Sequence, residues 1–201
     1  MGWSGSWIAV QASKEDVLNQ LGLDETSTQM LAGEGKRGDI CGSTMPGGWY
    51  VVFRNDMQWA NRERVMSLSS LGLAVACSFE DRVEMTSIAW AVQDGAELWR
   101  VSHDHKGSFY KLDTEGSPPE GLSELRHQAF KLQEEDGGEA SDCDYVHDVP
   151  FDLARSVCGY RHDECEEPFV ALQSPNAATN SGHAPKLGGL LGRLFGRSSG
   201  A

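Results

Sequence analysis

Basic residues are scarce in this sequence of 201 residues. Seventeen Lys and Arg stand against thirty Asp and Glu, which gives a net charge of -13 at pH 7. A surface with this surplus of negative charge repels phosphate backbones, so the composition argues against nucleic-acid binding and favours a basic protein partner. The three basic residues beyond position 173 come with no acidic residue. The negative charge therefore belongs to the first 173 residues.

Several other features are missing as well. No apolar run approaches the ~18 residues of a membrane-spanning helix, and no basic stretch followed by an apolar stretch opens the chain. The five cysteines are odd in number and irregularly spaced, unlike a secreted disulfide framework. The short motifs of α/β-hydrolases, nucleotide-binding proteins and zinc proteases do not occur between a strand and a helix. We expect a cytoplasmic protein without a cofactor, and favour a non-enzymatic one.

Four strand-like runs between residues 73 and 112 are the clearest structural pattern in the chain. The two middle runs join through Asp94-Gly95, a dipeptide typical of tight hairpins because both turn residues there adopt positive φ. Consecutive strands joined by short turns predict an antiparallel meander. With further strand-like runs at 3–10 and 48–53, the sequence predicts an α+β fold whose sheet has about four to six strands.

Apolar residues at helical spacing predict helices that cover one face of this sheet. The predicted helices lie at about 14–21, 61–71, 120–133 and 152–158. The segment 24–48 is rich in glycine and has few large apolar side chains, which predicts a long loop.

The composition changes towards Ser, Asn, Gly and Pro near the end of the chain. Such a segment cannot bury enough apolar surface to offset its chain entropy. We therefore predict a single acidic domain at 1–165 and a flexible linker with a basic, apolar tail at 166–201. Contact of that tail with a membrane is disfavoured, because its glycines oppose a stable helix.

Two groupings of residues have side chains that bind zinc in other proteins. Thiolate and imidazole ligands suit this metal, but the spacings match no standard zinc finger or ribbon. Scattered thiols and surface histidines are therefore the favoured interpretation, and a metal site is the alternative. The groupings are Cys143 with His147, and Cys158 with His162 and Cys165.

His103 and His105 offer a second route to a metal site or to acid–base chemistry. They close a predicted strand, and their spacing of two residues places them on the same side of it. Together with the zinc candidates, they support the alternative of a metal-binding protein or a metal-dependent enzyme.

Four blocks of the sequence resemble a group of uncharacterised small bacterial proteins. They lie at 2–10, 46–50, 98–104 and 159–163. No biochemical role accompanies this resemblance. In general type, though not in motif, an acidic α+β domain without a catalytic signature is similar to the immunity proteins that neutralise bacterial toxins. That likeness implies a binding protein.

The expected function is therefore to occlude the active site of a basic toxin, such as a nuclease, with an acidic face. The tyrosines and the arginine among the candidate contacts are the expected anchors, since these residue types dominate protein interfaces. The other expected function, an adaptor that engages a membrane or a partner through the tail, remains open. The candidate contacts are Glu134, Glu135, Asp136, Asp142, Asp144, Tyr145, Tyr160, Arg161, Asp163 and Glu164.

Overall fold

A computed structural model describes residues 4–32, 36–81, 85–165 and 167–175. Within these ranges, nine strands form one sheet. They are β1 (Ser4–Val10), β2 (Asp24–Met30), β3 (Ile40–Met45), β4 (Trp49–Arg54), β5 (Ala74–Glu80), β6 (Thr86–Gln93), β7 (Ala96–Asp104), β8 (Leu112–Gly116) and β9 (Phe169–Gln173). Their order in the sheet is β2-β9-β3-β4-β1-β5-β6-β7-β8. All neighbouring strands are antiparallel.

Four α-helices lie on the sheet and complete an α+β fold, as predicted. They are α1 (Lys14–Leu21), α2 (Arg62–Leu68), α3 (Leu122–Glu135) and α4 (Val149–Cys158). The helix α1 begins at the predicted place, where the Ser13 side chain accepts a hydrogen bond from the Asp16 backbone N–H. It ends at Gly22, which has the left-handed backbone (φ 62°) typical of helix ends.

The helices cover both faces of the sheet, whereas the sequence predicted that they cover one. Helices α1 and α2 pack on the face that carries Ile8 and Val10 of β1. Helix α4 packs on the opposite face, which carries Trp7 and Ala9, and α3 packs against α4. Because both faces are covered, all residues of the central strand β1 after Ser4 are buried, and its last four, 7–10, are all apolar.

The prediction of a long loop at 24–48 was wrong, because β2 and β3 lie within this segment. Strand β2 is an edge strand with polar, mostly exposed side chains, so it lacks the apolar alternation that identifies strands. Strand β3 contains Gly42, where a Cβ atom would overlap the hydroxyl of the buried Tyr50. Glycine at this position therefore reflects close packing inside a sheet.

The predicted end of the domain at residue 165 was too early. Strand β9 lies between β2 and β3, and its first residue, Phe169, is completely buried. A strand of five residues beside a change of composition gives little periodic signal, which explains the error. The rest of the predicted linker and tail, from residue 176 onward, lies outside the described residues.

The meander was confirmed, since β5, β6, β7 and β8 are neighbours in sequence order. Its last strand begins at Leu112, where the sequence predicted the strand to end. None of the described helices is both long enough and apolar enough to cross a membrane.

The position of β9 can be tested by replacing Phe169 with alanine. Because this side chain is completely buried in the core, Phe169→Ala should lower the free energy of unfolding by about 3 kcal/mol or more. Glu167→Ala, at an exposed position two residues earlier, should change it by less than about 0.5 kcal/mol. Urea unfolding measures both values, and equal small changes would show that residue 169 lies outside the folded domain.

Candidate functional site

The acidic segment, residues 134–144, runs from the last turn of α3 into a short loop. It contains six acidic residues and no Lys, Arg or His. The residues Glu134, Glu135, Asp136, Glu139 and Asp142 are exposed. Four of these five are predicted contact residues, and the fifth, Glu139, extends the same surface. The acidic segment therefore presents several carboxylates to solvent in one place.

A single buried side chain holds this segment in shape. Gln133, in α3, has no exposed surface. Its amide nitrogen donates to the carbonyl oxygens of Gly138 (2.9 Å) and Cys143 (3.0 Å), and its amide oxygen accepts from the backbone N–H of Tyr145 (3.0 Å). These hydrogen bonds connect both ends of the loop to the helix, so they restrict its motion.

Sequence reasoning missed Gln133, although a weak signal was available. Gln133 lies four residues after the buried Ala129, on the same stripe of the helix. A polar side chain on an apolar stripe, just before a glycine-containing loop, is a candidate for hydrogen bonds to that loop.

The loop between β7 and β8 supports the acidic segment from the side. The Glu139 carboxylate accepts hydrogen bonds from the Ser108 hydroxyl and from the backbone N–H of Phe109. The Glu134 carboxylate accepts from the Tyr110 hydroxyl at 2.7 Å. These two exposed carboxylates are therefore fixed in direction. A third, that of Asp136, accepts a hydrogen bond from the Ser141 hydroxyl, and Glu135 lies 3.8 Å from Lys131.

Asp144 anchors the segment to the sheet, and its predicted role as a surface contact was wrong. Only 1% of its side chain is exposed. The carboxylate accepts hydrogen bonds from His103 Nε2 (2.8 Å), from His105 Nδ1 (3.2 Å) and from the backbone N–H of His147 (3.1 Å). Burial alone raises the pKa of the Asp144 carboxyl, but these hydrogen bonds outweigh it and hold the pKa below its usual range.

His103 connects this anchor to the sheet. Its ring is buried, with Nε2 on the Asp144 carboxylate and Nδ1 2.7 Å from the carbonyl oxygen of Lys111. Each ring nitrogen therefore has an oxygen atom within hydrogen-bond distance, so the ring is held on both sides.

The second acidic cluster surrounds Arg161, whose predicted role as an anchor for a partner was wrong. The Arg161 side chain is 8% exposed, and its guanidinium forms ion pairs with Asp148 (3.1 Å), Asp152 (2.6 Å) and Asp163 (2.8 Å). Glu164 lies 3.7 Å from it and also pairs with Arg155. The predicted contacts Asp163 and Glu164 are exposed at the surface, but their charges are partly neutralised inside this cluster.

The two predicted tyrosine anchors differ in position. Tyr160 is 1% exposed, and its ring packs edge-on against Trp7 with 5.0 Å between the ring centroids. It belongs to the core, so its predicted role as a contact was wrong. Tyr145 is half-buried at the end of the acidic segment, where it remains within reach of a partner.

The residues of the predicted zinc groupings lie in different environments. Cys143 is exposed, while the buried Cys158 thiol faces the carbonyl oxygen of Tyr160 and Cys165 is half-buried. The buried His147 lies beside Asp81, with 3.5 Å between His147 Nε2 and Asp81 Oδ1. Over the described ranges, no group of three or more His, Cys, Asp or Glu residues has a geometry that could hold a metal ion.

His162, the remaining member, stacks on Phe79 with 3.9 Å between the ring centroids and contacts Phe151 edge-on. Burial is the main cause that lowers the pKa of His162, to about 4; the Asp163 carboxylate opposes this shift and the Arg161 charge adds to it. The His162 ring therefore lies neutral in the aromatic core at neutral pH.

Of the candidates for acid–base chemistry, only His105 is accessible. Its side chain is 38% exposed, its Nδ1 faces Asp144 and its ring packs on Phe109. A carboxylate that orients an accessible imidazole is one part of a catalytic arrangement, but the described contacts of His105 include no nucleophile. The geometry as a whole favours a supported acidic surface.

Comparisons with known proteins returned no relative: no protein-family model, no curated protein and no solved structure matches this chain.

The anchoring role of Asp144 can be tested against its exposed neighbour Asp142. Asp144→Asn disrupts a buried carboxylate that accepts three hydrogen bonds, so it should lower the free energy of unfolding by about 3 kcal/mol. Asp142→Asn, the same change at an exposed position, should alter it by less than about 0.5 kcal/mol. The measurement is chemical denaturation at pH 7, and comparable losses in the two variants would contradict the assignment.

The lowered pKa of the buried His162 predicts that the protein loses stability in mild acid. The unfolded chain binds a proton at His162 with a pKa of about 6.5, whereas the folded protein binds it only near pH 4. Stability should therefore fall as the pH decreases from about 6.5 to about 4, by roughly 3 kcal/mol from this residue. His147, whose pKa is raised despite its burial because of Asp148 and Asp81, contributes in the opposite direction.

The variant His162→Gln isolates this contribution, since it removes one titrating group and leaves His147 in place. Urea unfolding at several pH values between 7 and 4.5 should show a shallower acid dependence for His162→Gln than for the wild type. Parallel pH profiles for the two proteins would contradict the burial of a neutral His162.

Proposed function

We propose that this chain is a non-enzymatic binding protein of the immunity type, which neutralises a basic toxin by covering its active site with the acidic segment. The observation that carries the proposal is a set of exposed carboxylates on a loop supported by the buried side chains of Gln133 and Asp144. An inhibitor of this kind needs fast association and a surface that is ready to bind.

Charge supports fast association. Complementary electric fields raise the rate at which an acidic protein meets a basic partner, by about tenfold or more at low salt. The five exposed acidic residues of the acidic segment have no basic residue among them, and the whole chain has a net charge of -13. A nuclease active site, which binds phosphate with basic side chains, is the matching surface.

The support of the loop favours tight binding. Ordering a mobile loop on association costs about 0.5 to 1.5 kcal/mol for each side chain that becomes fixed. Here the Glu134 and Glu139 carboxylates already have hydrogen-bond partners in the free protein, as does the backbone of Tyr145. Most of the conformational freedom of these groups is therefore lost during folding, and little more is lost on binding.

The residues that we propose as contacts for the partner differ from those predicted from the sequence. Glu134, Glu135, Asp136, Asp142 and Tyr145 remain as proposed contacts, and Glu139 joins them because it is exposed on the same loop. Asp144, Tyr160 and Arg161 act inside the protein.

Charge reversal tests the proposal. The double variant Glu135→Lys/Asp142→Lys changes two exposed acidic residues that take no part in the hydrogen bonds supporting the loop. The matched control, Glu15→Lys/Asp24→Lys, has the same net charge but alters exposed positions on α1 and the far edge strand β2. Each protein is immobilised and exposed to an extract of the source cells, and bound proteins are identified by mass spectrometry at low and high salt.

The expected result is a basic protein that binds the wild type and the control, is lost from the double variant, and loses its enzymatic or toxic activity when the purified wild-type protein is added. The proposal fails if no basic protein is retained, if the two double variants retain it equally, or if the retained protein keeps its full activity.

A further inference from the structure

A cavity of about 300 Å³ lies on the α1–α2 face of the sheet, which is opposite to the face that carries α3 and α4. Its volume is at the lower end of the range found for small-molecule sites. Apolar side chains and two guanidinium groups share its wall. The lining residues are Leu21, Leu23, Gly38, Ile40, Arg54, Trp59, Arg64 and Ser174.

Arg54, the last residue of β4, carries one of these two guanidinium groups. Its Nε atom is buried and has no hydrogen-bond partner in the described part of the chain. No carboxylate among the described residues lies within ion-pair distance of its guanidinium. A buried donor without an acceptor is costly in a native fold, and the cavity beside Arg54 has room for an acceptor supplied from outside.

Arg64, in α2, places a second guanidinium in the same cavity. Its Nη1 donates to the Trp59 carbonyl oxygen, and its guanidinium carbon lies 5.0 Å from the centroid of the Trp59 ring. Burial lowers the pKa of Arg64, the nearby charge of Arg54 lowers it further, and the carboxylates of Glu63 and Asp56 act weakly in the opposite direction. The two arginines are therefore close enough to repel each other.

This arrangement contrasts with the rest of the protein. The buried Arg161 has carboxylates of Asp148, Asp152 and Asp163 around it. Arg54 and Arg64 are half-buried and form no such ion pairs with the described residues, so the cavity they share concentrates positive charge in a chain with thirty acidic residues. Paired guanidinium groups bind the oxygens of carboxylate and phosphate groups through several parallel N–H donors.

The rest of the cavity determines the kind of molecule that fits. Leu21, Leu23 and Ile40 contribute a smaller apolar part of the lining beside the arginines. We propose that this cavity binds a small organic anion, whose phosphate or carboxylate group contacts Arg54 and Arg64 and whose apolar part lies against Leu21, Leu23 and Ile40. This cavity is separate from the acidic segment, so the proposal of an anion site does not depend on the proposal of toxin binding.

Isothermal titration calorimetry with three probes tests this site on the full-length protein. Phenyl phosphate carries a phosphate on an apolar ring, benzoate carries a carboxylate on the same ring, and inorganic phosphate has no apolar part. We expect phenyl phosphate or benzoate to bind at one saturable site and more tightly than inorganic phosphate. The tighter of the two identifies the charged group that the site prefers.

Two variants and a matched control locate the binding site. Arg54→Gln and Arg64→Gln should each weaken binding of the preferred probe by about tenfold or more, because each removes a charge-assisted hydrogen bond. Arg62→Gln, on the same helix but at an exposed position paired with Glu97, should leave binding unchanged. Because Arg54→Gln removes one of two repelling charges, its thermal midpoint without probe should equal or exceed that of the wild type.

The proposal is contradicted if none of the probes binds at millimolar concentration, or if the affinity is the same in Arg54→Gln as in Arg62→Gln. A thermal midpoint of Arg54→Gln well below that of the wild type would also contradict it, because Arg54 would then serve the fold.

Discussion

The buried carboxylate of Asp144 is the contact on which the geometry of the acidic segment depends. It joins a loop after α3 to His103 in β7, and to the backbone of His147 just before α4. One carboxylate thereby ties together the sheet, the loop and the start of a helix. The buried His103 ring has an oxygen atom beside each of its nitrogens, so its contact with Asp144 has one defined geometry. Because Asp144 fixes the backbone of the segment, the exposed carboxylates on that backbone also have defined positions. The acidic surface therefore has a defined shape.

The arginines on the two faces of the sheet have different surroundings. On the α4 side, Arg161 lies among several carboxylates, and its guanidinium also lies over the Phe151 ring at 5.6 Å. On the α1–α2 side, Arg54 and Arg64 share a cavity and have no such neutralisation within the described chain. The first arrangement completes the fold, whereas the second leaves hydrogen-bonding capacity that an anion can use. Both arrangements occur in one acidic protein, so net charge alone describes neither.

The sequence was sufficient to predict the parts of the fold with strong local signals. Ser13 and Gly22 mark the ends of α1, and Asp94-Gly95 marks the hairpin between β6 and β7. Features that depend on distant partners could not be predicted. Asp144 is one of six acidic residues in its segment, and its buried contacts, above all that with a histidine 41 residues away, distinguish it. The same holds for strand β9, and for Arg54 and Arg64, which lie in different elements, β4 and α2, and line one cavity.

The proposed function requires the acidic segment to have its shape before a partner binds. Amide hydrogen exchange on the free protein, read at the backbone N–H groups of Tyr145 and His147, tests this most directly. Both N–H groups donate to side chains of the supporting network, namely to Gln133 and Asp144. At both positions we expect exchange to be slower by orders of magnitude than in an unfolded peptide. Exchange at the unfolded rate at both positions would contradict it.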